Sequence, residues 1–275
     1  MLRFNDVNFE YRRNAPIFTD INLEYGEGVH LLLGPNGSGK TTLLHLAAGL
    51  RRPTAGYIDF NGEIPSRRQP SFLGCCFILE ESFDSPFATP SLLGSRLGAF
   101  YPGFTSDRLR ANLEALGLEP DLRFRRMSLG MRRKANTAFA LATDTDLILL
   151  DEPANGMDIA ARHALRSLMS REVRPGQTIL VATHTVADLE TLYDSVTVFT
   201  AGNKPYKYDV SRIAERLAFI NSANVPVEAL YSEPYGAGYR CIVPAGDMET
   251  DVDFDIFYCA MVSPYAEPII NLLNN

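Results

Sequence analysis

The sequence contains no apolar run approaching the ~18 residues that a membrane-crossing helix needs. It also lacks, at its start, the charged stretch, apolar stretch and cleavage site of a secretory leader. From these two absences the chain is expected to stay in the cytoplasm. Cysteine is scarce: Cys75, Cys76, Cys241 and Cys259 have neither zinc-type spacing nor the density of a disulfide scaffold, and they read as small apolar core residues. The four histidines are scattered, which argues against a structural metal site. Positive charge is not in surplus either. A formal net charge of -7 and a pI near 5.2 argue against a general nucleic-acid binder, because sequence-independent affinity for a phosphate backbone needs a basic surface. No nucleic-acid partner is expected. Internal repeats and low-complexity tracts are missing as well.

What is present is an ordinary globular composition, 46% hydrophobic and 21% charged over 275 residues, enough for a proper core with room for an appendage. Its most informative stretch is GPNGSGKTT, residues 34–42. Gly34, four free positions, Gly39, Lys40 and Thr41 satisfy the phosphate-loop pattern: backbone N–H groups wrap the phosphates, the lysine reaches the terminal ones, and the hydroxyl holds Mg²⁺. Glycine allows the turn where a Cβ would clash. Residues 29–33 read as a buried strand before the loop. Residues 42–50 read as a helix after it, with its N-terminus directed at phosphate. The alternative, a glycine-rich turn, does not account for this order of strand, loop and helix.

Ahead of the loop, residues 2–9 and 17–23 alternate as antiparallel strands do, separated by the polar break Arg12, Arg13, Asn14. Tyr11 ends the first run; it either stacks its ring on a purine or is a half-buried strand tyrosine. A short strand at 57–60 closes on the turn signal Asn61 Gly62. The apolar run 72–79 is followed by Glu80 and Glu81. Leu92, Leu93, Leu97, Phe100, Leu109, Leu113, Leu116 and Leu118 then carry helical spacing, so residues 88–137 read as a helical insertion in an α/β core. Within it Arg123, Arg125, Arg126, Arg132, Arg133 and Lys134 form a basic run, either a solvated helix face or a surface for a partner's acids.

Leu147 to Leu150 is an apolar strand that ends in Asp151 and Glu152. In phosphate-loop proteins an aspartate at such a strand end holds Mg²⁺, and a carboxylate directly after it can orient or deprotonate an attacking water. A helix at 159–171 and a β-branched strand at 178–182 follow, and His184 comes just after that strand, placed either to donate to a terminal phosphate or to sit in an exposed turn.

Met127, Ser128, Leu129, Gly130 and Met131 complete the set, about twenty residues before Asp151. Here residues 1 to about 200 resemble the ATP-binding cassette ATPases of ABC transporters. The segment is similar to that family's signature loop, in a Ser-x-Gly-Met form. The resemblance implies a P-loop NTPase α/β core with an N-terminal antiparallel β layer, a helical subdomain at about 88–137 and, from 203 to 275, a small α+β C-terminal extension. It implies that Tyr11 stacks on adenine and that Gly34, Pro35, Asn36, Gly37, Ser38, Gly39, Lys40, Thr41 and Thr42 hold the phosphates. Asp151 and Thr41 would ligate Mg²⁺, Glu152 would be the catalytic base, and His184 would contact the γ-phosphate. Asn155 to Asp158 would form the D-loop, with Asp158 near the nucleotide. Ser128 and Gly130 would reach the γ-phosphate of an opposite subunit.

Three departures stand out. Glu80 is the best match for the family's Mg²⁺-ligating glutamine, and it adds negative charge. Leu129 and Met131 replace a glycine and the glutamine of the signature. The D-loop has Asn155 and Met157 where small and leucine residues are commoner. The sequence Tyr101, Pro102, Gly103, Phe104, the Glu80 Glu81 pair and the Ser-x-Gly-Met signature together look like the ABC-2 exporter branch that includes bacitracin-resistance-like systems. The implied protein is an ATPase using ATP and Mg²⁺. It would dimerise with a copy or a paralogue and power a separate integral membrane permease, sitting on the inner face of the membrane through it. Two other classes compete: a soluble cassette ATPase of repair, translation or cofactor assembly, and a non-catalytic nucleotide-dependent regulatory module. From residue 203 onward a helix is expected at about 210–221 and strands near 229–232, 239–243 and 252–257.

Overall fold

The computed structural model describes residues 1–11, 16–79, 88–184, 190–200 and 204–274. In chain order the first elements are β1 (Leu2–Glu10), β2 (Pro16–Tyr25), β3 (Gly28–Leu33), α1 (Lys40–Ala47), β4 (Ala55–Phe60), α2 (Pro70–Cys75) and β5 (Cys76–Leu79). Then come α3 (Pro90–Leu97), α4 (Ser106–Ala115), α5 (Leu129–Ala142), β6 (Leu147–Asp151), α6 (Ile159–Glu172), β7 (Thr178–Thr183), β8 (Ser195–Val198) and β9 (Tyr206–Asp209). The chain ends with α7 (Val210–Arg216), β10 (Leu217–Ser222), β11 (Tyr231–Tyr235), β12 (Gly238–Pro244), α8 (Phe254–Val262) and α9 (Ala266–Asn274).

A six-stranded sheet ordered β5-β6-β7-β3-β8-β9 forms the centre, parallel except for its last pair. Both of its faces are buried, as the continuous apolar runs of β3, β6 and β7 require. Alternate residues divide between two cores. Leu32, Leu147, Leu149 and Leu180 join α1 and the antiparallel sheet β2-β1-β4 on one side, through Phe4, Phe18, Ile21 and Tyr25. Leu31, Leu33, Ile148, Leu150, Ile179 and Val181 join the insertion helices, α6 and the C-terminal residues on the other. Tyr193 meets Phe254 edge to face at 5.9 Å between ring centres, so the residues after 203 pack onto the core rather than hang from it.

The register puts the strand ends level. Leu33 lies opposite Thr183, and Asp151 opposite Ala182, so the chain leaves β3, β6 and β7 along one rim of the sheet. In open α/β sheets that carboxyl rim is where ligands bind.

Several expected boundaries move. The first helix starts at Lys40 and stops at Ala47, because Gly49 turns left-handed with φ 68° and a Cβ there would lie 2.1 Å from the Pro65 carbonyl oxygen. Residues 72–79 divide into the end of α2 and β5. The helical insertion runs on to Ala142, since α5 leads straight toward β6. In the C-terminal part the expected helix 210–221 ends at Arg216 and continues as β10, paired antiparallel with β12. The strand expected at 252–257 is a helix, α8. Asp253 caps it by accepting from the N–H groups of Asp255 and Ile256, and Phe254, Phe257 and Ala260 recur at helical spacing toward the core. The expected boundary at 202/203 falls where residues 201–203 lie outside the description, and the central sheet takes its last strand, β9, beyond it.

Candidate functional site

The phosphate loop folds as it does because two of its glycines are boxed in. A Cβ on Gly34 would sit 2.8 Å from the Phe199 Cβ and 2.9 Å from the Ser38 hydroxyl; one on Gly39, where φ is 106°, would strike the Phe18 ring at 2.9 Å. Lys40, only 6% exposed, bends back and donates from Nζ to the carbonyl oxygens of Gly34 at 2.6 Å and Pro35 at 3.1 Å. Burial pulls its ammonium below the ordinary lysine range, while the charges of Glu152 and Asp151 pull it upward. Gly39 caps α1 without a side-chain acceptor, so the first N–H groups of that helix have no side chain to bond them. The Ser38 hydroxyl is buried without a protein partner. Around this end of α1 is a cavity of about 720 Å³, lined by Tyr11, Ile17, Asn36, Gly37, Gly39, Lys40, Thr41, Thr42, His45, Arg133, Asp151 and Glu152.

The rim of the sheet brings the carboxylates to the same cavity. Thr41 donates from Oγ1 to Asp151 Oδ2 at 2.6 Å across the strand ends. Burial pushes the Asp151 carboxyl above its ordinary range; the Thr41 hydrogen bond, Lys40 and Arg133 oppose that shift and Glu152 adds to it. Glu152 stands in the left-handed region with φ 49°, a sparsely populated conformation for a residue with a Cβ. Its N–H donates to Ala182 O at 2.8 Å. Both carboxylate oxygens are held: Thr183 Oγ1 donates to Oε2 at 3.0 Å and His184 Nδ1 donates to Oε1 at 2.7 Å. The expected glutamate and histidine are thus paired with each other.

This donor set suits a small hard cation. Magnesium keeps several waters and uses one or two protein oxygens beside phosphate, so no all-protein cage is needed; among the described residues no group of three or more histidine, cysteine or acidic side chains forms one. The Thr41 hydroxyl and the Asp151 carboxylate, both hard oxygens and already in contact, are the residues that fit. Glu80, the third expected metal ligand, and Glu81 beside it lie outside the described residues.

Tyr11 lines the cavity; its hydroxyl lies 3.3 Å from Thr42 Oγ1, and the Arg51 guanidinium lies over its ring at 5.5 Å from the centre. The signature residues and the D-loop stand apart from this lining. Ser128 is exposed and caps α5, accepting from Met131 N–H at 3.2 Å. Gly130 is buried against the loop that follows Glu152, where a Cβ would lie 2.4 Å from Gly156 O. Asp158 caps α6, accepting from Ala161 N–H at 2.8 Å. Two residues, Arg133 in the cavity lining and Thr183 behind Glu152, carry more than the sequence suggests. Arg133, expected on a solvated face or against a partner, is 3% exposed and donates from Nη1 to Asp151 O at 3.3 Å. Thr183 holds Glu152; being the last residue of a β-branched strand, it reads as strand alone.

A family model described as ABC transporter matches residues 18–155, just over half of the chain. The chain belongs to this family. Among its ABC relatives is the Nod factor export ATP-binding protein I of Burkholderia orbicola, 33% identical over 252 residues that span 86% of this chain and 78% of that one. The lantibiotic transport ATP-binding protein SrtF of Streptococcus pyogenes is 28% identical over 228 residues, 79% of this chain and 95% of the relative. A solved ATP-binding subunit of an ABC transporter superposes with a TM-score of 0.68 at 25% identity, covering 78% of this chain and 91% of that one. A dimeric cassette solved in a post-hydrolysis state with ADP and Pi gives 0.66 at 20% identity, covering 76% and 98%, and shares the fold. The protein is therefore an ABC ATPase, an ATP-binding and ATP-hydrolysing transporter subunit, and the cavity at the end of β3 is its candidate nucleotide site.

Proposed function

We propose that this ABC ATPase binds ATP with Mg²⁺ in the cavity at the mouth of β3 and hydrolyses it in a head-to-tail dimer, with a copy or a paralogue, that drives a separate membrane permease for export. Tyr11 stacks on the adenine, and the loop 34–42 with Lys40 takes the phosphates. Thr41 and Asp151 hold the Mg²⁺, which supplies positive charge beside the terminal phosphates. Glu152, gripped by Thr183 and His184, accepts the proton of the attacking water. Ser128 and Gly130 complete the second subunit's site, Glu80 adds a further oxygen near the metal, and Asp158 fixes the D-loop between the subunits. The permease would hold the ATPase at the inner face of the membrane. Among the described residues no single helix is long and apolar enough to cross a membrane. The names of the relatives, an export protein and a lantibiotic transport protein, support the exporter reading.

The observation that carries this proposal is the meeting of Lys40, Thr41, Asp151 and Glu152 in one cavity while Ser128 stays on the outside. The test is sedimentation of Glu152→Gln with and without ATP. Turnover should fall by about 10²–10⁴-fold, the usual contribution of a general base, while ATP remains bound and converts the protein to dimers. A variant that releases phosphate at the parental rate rules out the base, and one that binds ATP but stays monomeric rules out the shared site.

A further inference from the structure

Within the basic run 123–134 the residues differ in kind. Arg123, Arg125 and Arg126 are exposed, whereas Arg133 is buried at 3% exposure and its side chain reaches the nucleotide cavity. A buried guanidinium is costly unless its donors are used. One donor is spent on the carbonyl of the peptide that joins Asp151 to Glu152, at 3.3 Å. That peptide is an unusual place, because the next residue, Glu152, is held left-handed and two carboxylates diverge from it. Restraining its carbonyl restrains the direction in which both carboxylates leave the strand.

Arg133 belongs to α5, the helix that Ser128 caps. Along the axis the two are separated by about 7–8 Å, at ~1.5 Å per residue. Between them Gly130 lies against Gly156 O and the Met157 Cα, so closely that a Cβ would meet them at 2.4 and 3.5 Å. The beginning of α5 therefore touches the 151–157 segment at two separated points, and a displacement of Ser128 is carried to the Asp151 carbonyl by a short piece of packed helix.

We propose that Arg133 is a positioning residue for ATP hydrolysis: it braces the Asp151–Glu152 peptide against the signature helix, so that a second copy's triphosphate arriving at Ser128 is registered at this chain's own carboxylates. The link to Ser128 rests on the shared-site reading above; the brace itself does not.

The test is steady-state ATP hydrolysis by the full chain carrying Arg133→Gln or Arg133→Lys, with the Hill coefficient for ATP. In the glutamine variant kcat should fall at least about tenfold, since small displacements of catalytic groups cost this much or more, while KM stays within about threefold and the Hill coefficient drops toward one. Lysine, which keeps a charged donor, should recover part of kcat. Parental kcat in the glutamine variant, a loss confined to KM, or a lysine variant no better than the glutamine one overturns the proposal. If the glutamine variant does not fold, the lysine variant decides: kcat lowered about threefold or more at unchanged KM supports the brace, and parental kcat overturns it. A parent that itself shows a Hill coefficient of one and the same turnover at every dilution removes the shared site and the link to Ser128, and leaves the brace to be judged on kcat.

Discussion

At the scale of single residues the nucleotide site is an arrangement of side chains that burial disfavours. Lys40 is held below its ordinary pKa and Asp151 above its own, each by loss of water first. For an acid whose folded pKa is raised, ionisation costs stability: the folded state gains relative to the unfolded chain below the ordinary carboxylate range, and that gain is lost as pH rises through the raised value. Asp151→Asn removes this cost. In nucleotide-free protein its melting temperature should exceed the parent's by a few degrees at most near neutrality, and the gap should close as pH falls through the raised pKa. Thermal scans in buffers from neutral to acid pH check this. A gap that widens toward acid would mean that Asp151 is stabilised as an anion in the folded state. The same variant should lose the protection that Mg²⁺ adds to ATP in those scans.

At the scale of elements, the position of each motif was readable while the way each is held was not. The strand-loop-helix order around Gly34, the two acids ending β6 and the serine before α5 all follow from local pattern, because glycine turns, apolar runs and caps act over a few residues. Arg133 was not readable in this way. In a run of six basic residues nothing local separates the buried one from the exposed ones; its partner carbonyl is contributed by β6, and only packing brings the two together. Glu152's left-handed backbone and its grip by Thr183 and His184 likewise depend on how β6 and β7 pair. For α8 the signal is local: Asp253 followed by apolar residues at 254, 257 and 260 is the pattern of a capped helix rather than of an alternating strand. Gly130 tests the element packing directly. A methyl group at 2.4 Å from Gly156 O forces backbone to move, so Gly130→Ala should cost about 1–3 kcal/mol, the usual penalty of overpacking. Denaturant titration measures it, and an unchanged midpoint would show that α5 and the 155–157 loop are not in contact.

At the scale of the whole molecule, the residues proposed for hydrolysis divide between the inner rim of the sheet and the outside of the chain. Lys40, Thr41, Asp151 and Glu152 share a cavity, whereas Ser128 is exposed, and Leu129 next to it in the chain and Ile159 at the start of α6 stay 54% and 69% exposed. Large apolar side chains next to a polar recognition turn are what an interaction surface leaves uncovered. Turnover per molecule should therefore fall as the protein is diluted below the affinity of its dimer, with the rate tending toward the square of concentration. Net charge makes the prediction sharper. Two chains of formal charge -7 repel at long range, and salt screens that repulsion over about 10 Å at 0.1 M. Raising ionic strength from low to physiological values should then move the loss of activity to lower protein concentration. Hydrolysis assays across a dilution series at two salt concentrations decide the matter. Turnover that is flat on dilution excludes the shared site, and a dimer that salt weakens would mean that ion pairs across the interface outweigh the repulsion between the chains.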